Sequence, residues 1–470
     1  MTLEHENFKK AVAEAAAEFG ALSRQGRVRI ISHLDADGIS ACSIIIRALN
    51  RRSMKYAVSI VQQVDEWLVS QLAKENNDVI IFTDIGAGQL MLISKYLSKK
   101  KVFVLDHHPP EGEGHEGLVH VNPHLFGIDG STEISGAGIA YLFAEALDKK
   151  NSDMAHIAII GAIGDVQEDK GFKQLNMKIL ETAKKSGKIK VIQGLRVFGA
   201  QTKPLHKILE HCTEHVIPGI TGSESRAIQF LQQIGINPKS GSEWRTLIDL
   251  DEKELKKLTT EIVMRRMNEK TPESIIGPVY ILVEEQKKSP LKDAKEFSTL
   301  LNACGRLNKA SLGIGACLDD EKIKKKAVQQ MFVYKKEIVK AMEWYEANKK
   351  SKNVFHGNGF IIINAEDNVP STMIGTVASL ISKSHEFVEG TFIMSLARQL
   401  DGNTKVSLRI AGDAAGTDLS RVAARIAENV NGAAGGHCKA AGAIIKTDAE
   451  QQFMDEAKRV LAEQHIEEIV

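Results

Sequence analysis

Short apolar and β-branched runs alternate with stretches of helical periodicity up to about residue 195. Residues 28–32, 58–64, 79–83, 102–105 and 118–121 are runs of this kind. Their near-continuous apolar character suits parallel strands buried on both faces. Between them the spacing predicts helices over 39–49, 66–74 and 137–147, preceded by an amphipathic helix over 6–25. Such alternation implies right-handed βαβ units and a doubly wound α/β sheet, in which ligands sit at the carboxyl ends of the strands.

The pattern changes near residue 200. Residues 200–270 are helical and charged, with Asp251 and Glu254 spaced as a capping box for a helix running through Arg266. Segments 278–284, 293–307 and 311–318 read as strand, helix and strand, and a highly charged helix follows over 321–350. A final α/β unit begins near Phe355, with strands at 359–363, 391–396 and 406–410, a helix over 417–430, and the glycine-rich string GAAGGHCKAAGA. The expected organisation is α/β: a parallel-sheet domain over 1–199, a helical and mixed middle region over 200–350, and a smaller C-terminal α/β domain over 351–470. PPEGEGHEG (109–117) reads as a mobile loop.

A chain of 470 residues exceeds one typical core. Lys plus Arg (61) and Asp plus Glu (60) nearly cancel, so any surface for a polyanion must be local. Lys203, Lys207, Lys256, Lys257, Arg265 and Arg266, and the run 324–326, are interleaved with acidic residues and read as solvated helix faces. Only 5% of residues are aromatic, which leaves backbone contacts to dominate any nucleic-acid binding. The five cysteines (Cys42, Cys212, Cys304, Cys317 and Cys438) form no CxxC pair, which disfavours a disulfide framework and a zinc finger. No stretch approaches the roughly 20 apolar residues of a membrane span, so a soluble cytoplasmic protein is expected.

Four carboxylate-bearing strings follow apolar runs and point to chemistry. HLDADG carries His33, Asp35 and Asp37, whose spacing puts all three on one face of an extended strand end, and Gly38 then lets the backbone turn into the next helix. FTDIG supplies Asp84, LDHHPP supplies Asp106, His107 and His108, and IGDVQ supplies Asp165 after the apolar stretch 156–164. His33, Asp35, Asp37, Asp84, His107 and Asp165 offer four carboxylates and two imidazoles, enough for two hard divalent cations if one carboxylate bridges. The O/N donor set without thiolate favours Mn²⁺ or Mg²⁺. Two such ions about 4 Å apart suit a phosphoester displacement. Singly, Asp37 and Asp84 also read as helix N-caps, and Asp165 as a residue capping or leaving a helix. Capping leaves the clustered histidines unexplained. Near the C-terminus, the Gly435, Gly436, His437 string reads either as a phosphate-presenting turn or as an ordinary hairpin, with Cys438 a small residue within it. Arg409 reads either as a fork for a phosphodiester or as a surface ion pair.

HLDADG, FTDIG, LDHHPP and IGDVQ, in this order and followed by GGHCKAAGA, resemble the DHH phosphoesterase superfamily with its DHH-associated C-terminal domain. Within it the chain is similar to the archaeal RecJ-like nucleases, including the GINS-associated type, and TLLNACGRLNKASLGIGA (299–316) is similar to a segment of that subgroup. The resemblance implies that His33, Asp35 and Asp84 hold one metal and Asp37, Asp84, His107 and Asp165 the other. It also implies that His108 contacts the scissile phosphate or protonates the leaving oxygen while Asp106 orients an imidazole. Arg409, Gly435, Gly436 and His437 would grip substrate phosphate and close a cleft between two lobes. The implied activity is two-metal exonucleolytic digestion of single-stranded DNA or RNA, in archaeal replication or repair. The rivals are hydrolysis of short oligonucleotides or small phosphoesters, and a replisome scaffold that binds GINS and the replicative helicase. The additional oligonucleotide-binding fold of bacterial RecJ has no counterpart stretch here. Digestion polarity, DNA against RNA, the native metal and the oligomeric state stay open.

Overall fold

The computed structural model describes residues 2–384, 386–412, 417–437 and 439–469, without the side chains of His437 and residues 465–469. It divides into two compact units, Met1–Gln330 and Met331–Val470.

The first unit opens with α1 (Leu3–Ala21), β1 (Arg27–His33), α2 (Ala36–Arg51), β2 (Lys55–Val61), α3 (Glu66–Lys74), β3 (Val79–Thr83), α4 (Leu90–Leu97), β4 (Lys101–Leu105) and β5 (Leu118–Val121). The five strands form one sheet in the order β2-β1-β3-β4-β5, all pairs parallel. Apolar residues alternate to its two faces. On one, Ile31, Ile80, Phe82, Val102 and Val104 pack with Val69 and Leu72 of α3 and Ile93 and Leu97 of α4. On the other, Phe103 meets Phe19 of α1 and Phe143 edge to face. Burial on both faces accounts for the unbroken apolar runs of β1, β3 and β4, while the edge strands β2 and β5 are largely half-buried.

The unit continues with α5 (Gly136–Leu147), α6 (Ala155–Gly164), α7 (Gln174–Lys185), β6 (Ile189–Leu195), α8 (Leu205–Glu210), α9 (Glu224–Gln233), β7 (Lys239–Ser240), β8 (Glu243–Trp244), α10 (Glu252–Arg265), β9 (Ile276–Leu282), α11 (Ala294–Arg306) and α12 (Ala310–Cys317), and α13 (Glu321–Asn348) runs across the division between Gln330 and Met331. The predicted capping box is present, Asp251 accepting from the Glu254 amide at 2.8 Å and Glu254 accepting from the Asp251 amide at 3.1 Å. β9 pairs antiparallel with β6, and α8, α9 and α10 enclose a core around Leu209, Phe230, Leu231 and Ile262.

Two expectations are corrected here, and one is narrowed. Residues 311–318 form the helix α12 rather than a strand. A short apolar run does not by itself separate strand from buried helix, and Gly313 lets α12 approach Ile39 of α2. The apolar stretch before Asp165 is the helix α6, buried nearly all round, so Asp165 leaves a helix, as one of its sequence readings has it. Two cations expected on solvated faces are buried: Arg266 donates to the carbonyls of Val216, Thr271 and Pro272, and Lys324 pairs with Glu285 at 2.7 Å.

The second unit holds β10 (Val354–Gly357), β11 (Phe360–Asn364), α14 (Ile374–Ser382), β12 (Phe392–Arg398), β13 (Asn403–Ile410), α15 (Leu419–Glu428), β14 (Ala433–His437), β15 (Ala440–Lys446) and α16 (Glu450–Ile469). Its sheet runs β10-β11-β12-β13-β15-β14. Gly435 and Gly436 lie in β14 of a hairpin with β15, so the ordinary-hairpin alternative describes their backbone. Cys438 and the His437 side chain lie outside the described residues. No helix among the described residues is long and apolar enough to cross a membrane.

Candidate metal centre

The carboxyl ends of β1, β3 and β4 lie side by side in the sheet order. Ser32 and Thr83 knit the first two ends, the Thr83 hydroxyl donating to Ser32 Oγ at 2.7 Å and Ser32 donating to the Gly38 carbonyl at 2.7 Å. His33 is the last residue of β1. Asp35 caps α2 by accepting from the Gly38 amide at 3.0 Å, and Asp37 lies in the first helical turn. The three are therefore brought together by a strand-to-helix turn, not by the extended strand end that their spacing suggests. Asp37 accepts from the amides of Gly136 (2.6 Å) and Ala137 (3.1 Å) at the start of α5, where the helix dipole favours negative charge. Asp84 follows β3 with φ +58°, a left-handed conformation that aspartate tolerates better than most residues.

Around Asp84 the predicted ligands converge in two groups. His33 Nδ1 lies 2.9 Å from Asp35 Oδ2 and 3.7 Å from Asp84 Oδ2. His107 Nε2 lies 3.3 Å from Asp84 Oδ1, 3.2 Å from Asp165 Oδ2 and 3.9 Å from Asp37 Oδ2. Asp84 thus turns one oxygen to each group. Both of its oxygens are buried, and no donor among the described residues reaches them with hydrogen-bond geometry. Burying a carboxylate in this state is costly unless a cation compensates, and ligand atoms of His33, Asp35 and Asp84, and of Asp37, His107 and Asp165, lie within 4.8 Å of one another in each set. The residues therefore fit two divalent cations, with Asp84 shared. His107 Nδ1 is 2.7 Å from the Gly130 carbonyl, a contact that aims Nε2 at the carboxylates.

His108 stands apart. Its Nδ1 is 2.7 Å from Asp106 Oδ1, and Asp106 Oδ2 accepts from the Ala87 amide at 2.8 Å. Asp106 is buried, whereas the His108 side chain is 32% exposed.

Charge is crowded here. Burial, joined by the Asp84 and Asp165 carboxylates, pushes the Asp37 carboxyl far above its ordinary range. Burial raises Asp165 to about 7, with His107 opposing and Asp35 and Asp84 adding to the rise. Burial disfavours charge on His33, but Asp35 and Asp84 outweigh it and raise its pKa to about 10. For His107 and His108 burial is likewise outweighed, by Asp84 and Asp165 in the first case and by Asp106 in the second. Burial also opposes ionisation of Asp35 and Asp106, yet His33 and His108 hold them well below the usual carboxylate range.

Close packing by glycines completes the cradle. A Cβ on Gly136 would lie 2.5 Å from Asp84 Oδ1, and one on Gly161 would lie 2.4 Å from Asp37 Oδ1. These two went unread in the sequence, although the SGAG string opening α5 carries the signal of a close backbone approach.

Arg409 lies on β13, where it donates from Nε to Ser379 Oγ at 2.9 Å and from Nη1 to the Leu408 (2.8 Å) and Ala441 (3.3 Å) carbonyls. Ala441 is the register partner of Gly436, so Arg409 and the glycine pair are neighbours on one sheet. Gly436 has φ +130°, and a Cβ there would lie 2.5 Å from the Ala440 carbonyl oxygen, which ties this position to glycine.

Residues 27–164 match the DHH family N-terminal domain, 197–279 the DHH-CID domain and 357–463 the DHHA1 domain. An uncharacterized protein of Methanocaldococcus jannaschii is 30% identical over 471 residues, covering 98% of each chain. The single-stranded-DNA-specific exonuclease RecJ of Thermus thermophilus is 31% identical over 176 residues, 33% of this chain and 25% of that protein. Its crystal structure with Mn²⁺ aligns with 97% of this chain and 55% of the other at a TM-score of 0.58 and 18% identity. CDC45 from Entamoeba histolytica aligns over 97% and 98% at 0.61 and 11% identity. These low-identity structures bear on the fold alone. The chain belongs to the DHH family, as a RecJ-like member in which DHH, DHH-CID and DHHA1 domains follow one another along the sequence.

Proposed function

We propose that this protein is a two-metal phosphodiesterase that removes nucleotides from the end of single-stranded DNA, with RNA as a further substrate, in DNA replication or repair. The observation that carries it is the buried Asp84 carboxylate, each oxygen facing a separate imidazole and carboxylate set. On this reading His33, Asp35 and Asp84 hold one cation and Asp37, Asp84, His107 and Asp165 the second, with Mn²⁺ preferred and Mg²⁺ accepted. Bound there, two divalent cations supply a nucleophilic water and stabilise the attacking and leaving oxygens of a displacement at phosphorus. His108, held by Asp106, contacts the scissile phosphate or protonates the leaving oxygen. Arg409, Gly435, Gly436 and His437 grip substrate phosphates.

The test is digestion of single strands labelled at either end with purified protein and Mn²⁺, beside a chelator control and a duplex of the same sequence. Loss of nucleotides from one labelled end, abolished by chelator and absent on duplex, is expected. Cleavage of dinucleotides or small phosphoesters alone would favour a small-substrate hydrolase. The CDC45 fold match supports a second reading, a replisome scaffold docking on GINS and the replicative helicase. Six candidate ligands favour activity, and an active nuclease can also dock.

Two expectations accompany this reading. Between their ordinary values of 3.8 and 6.5 and the raised values of about 7 and about 10, Asp165 and His33 bind more protons folded than unfolded. The stability they contribute is therefore present at low pH and lost as pH rises through the folded values. Cations replace those protons, so Mn²⁺ should raise the melting temperature more at pH 8.5 than at pH 6. Equal shifts in a thermal melt at both pH values would break the link. Separately, Arg409→Ala should weaken single-strand binding by about 1 to 3 kcal/mol and flatten its salt dependence by about one unit of slope. Binding isotherms at two salt concentrations check it, with a melt to show that loss of the Ser379 contact has not unfolded the unit.

A further inference from the structure

The string TLLNACGRLNKASLGIGA forms the second half of α11 and most of α12, and the hydrolytic reading leaves it without a role. Asn302 on α11 accepts, through Oδ1, a hydrogen bond of 3.0 Å from the Ala36 amide. Ala36 is the first residue of α2, one of the amides that a helix cannot satisfy internally. One turn later along α11, Gly305 packs so closely that a Cβ would lie 1.6 Å from the Leu34 carbonyl oxygen. Asn302 and Gly305 thus hold the residues on both sides of Asp35. α11 is itself fixed: it packs on α2 and α6, Asp293 caps it by accepting from the Lys295 amide at 2.8 Å, and buried Glu296 accepts from the Gln201 amide (3.1 Å) and the Thr202 hydroxyl (2.6 Å).

We infer that Asn302 is a positioning residue of the metal centre, bracing the first turn of α2 so that Asp35 and Asp37 keep the separation two cations require. The inference rests on the two-metal reading above. Its physical content is that a carboxylate on an unbraced turn spends binding energy on being ordered, whereas one on a satisfied turn does not. Asparagine supplies an acceptor at the amide without touching a cation.

Two measurements on the full chain test it: hydrogen exchange of the peptide spanning residues 34–39, and titration with Mn²⁺. Asn302→Ala is expected to speed exchange at the start of α2 and to weaken Mn²⁺ binding by about 10- to 100-fold, while Asn302→Asp, which keeps an acceptor oxygen, restores both. A melt of each variant excludes global unfolding. Wild-type exchange and Mn²⁺ affinity in Asn302→Ala would overturn the inference alone. Absence of Mn²⁺ binding by the wild-type chain would overturn the metal reading and this inference with it.

Discussion

Asp84→Ala is expected to yield a folded protein that loses at least about 100-fold in hydrolysis, roughly 2.7 kcal/mol in the barrier, and fails to load two cations. The size of the effect follows from position. Among the described residues Asp84 is the carboxylate whose two oxygens face different imidazoles, so its removal deprives both candidate sites at once and leaves any two bound cations less screened from each other. Without metal the same substitution has opposed effects: it relieves repulsion with Asp37 and Asp165, but it removes the carboxylate that helps hold protons on His33 and His107 and puts alanine at a left-handed φ of +58°, so a modest fall in the metal-free melting temperature is expected. Loss of activity together with a cooperative metal-free melt separates a site effect from misfolding. Metal analysis and rate measurement on the purified variant decide it, and more than about a tenth of the wild-type rate would sink the bridging assignment.

For His108→Ala the expected loss is about 10²- to 10⁴-fold in kcat, the usual span for a general acid or base, with both cations retained. His108 Nδ1 is engaged by Asp106, and burial there is outweighed by that carboxylate, which keeps the imidazole charged above its ordinary range. An imidazole whose proton is favoured by the buried carboxylate that orients it suits a developing negative charge better than it suits a metal. The competing assignment has a geometric basis of its own, since ligand atoms of Asp84, Asp106, His107 and His108 also gather within 4.8 Å. Metal content discriminates: one ion lost from His108→Ala makes it a ligand, and two ions kept with a slowed chemical step make it act on substrate.

How much of this was legible in the sequence depended on range. The strand runs at 28–32, 79–83 and 102–105 were legible because burial on both faces imposes composition directly, and His33, Asp84 and His107 could be placed because they follow those runs immediately. Asp165 is legible as a residue, with leaving a helix among its readings, but AHIAIIGAIG carries no periodic polar face by which a buried helix is told from a strand. The same ambiguity hid α12. Gly136, Gly161 and Asn302 matter through what touches them, and their partners Asp84, Asp37 and Ala36 lie 52, 124 and 266 positions away. Contacts of that span leave little local signature beyond the glycines of SGAG around Gly136.

The brace on α2 also has a temporal side. A chain synthesised from its N-terminus has all six candidate ligands assembled in sequence by Asp165, but Asn302 emerges a further 137 residues later. At translation rates of about 5 to 20 residues per second, that interval is on the order of ten seconds. During it the sheet can form while the turn carrying Asp35 and Asp37 lacks its support. On the two-metal reading and the inferred brace, tight cation capture is expected to be a late event in biosynthesis, and a nascent chain halted before α11 is expected to carry every candidate ligand yet hold metal poorly.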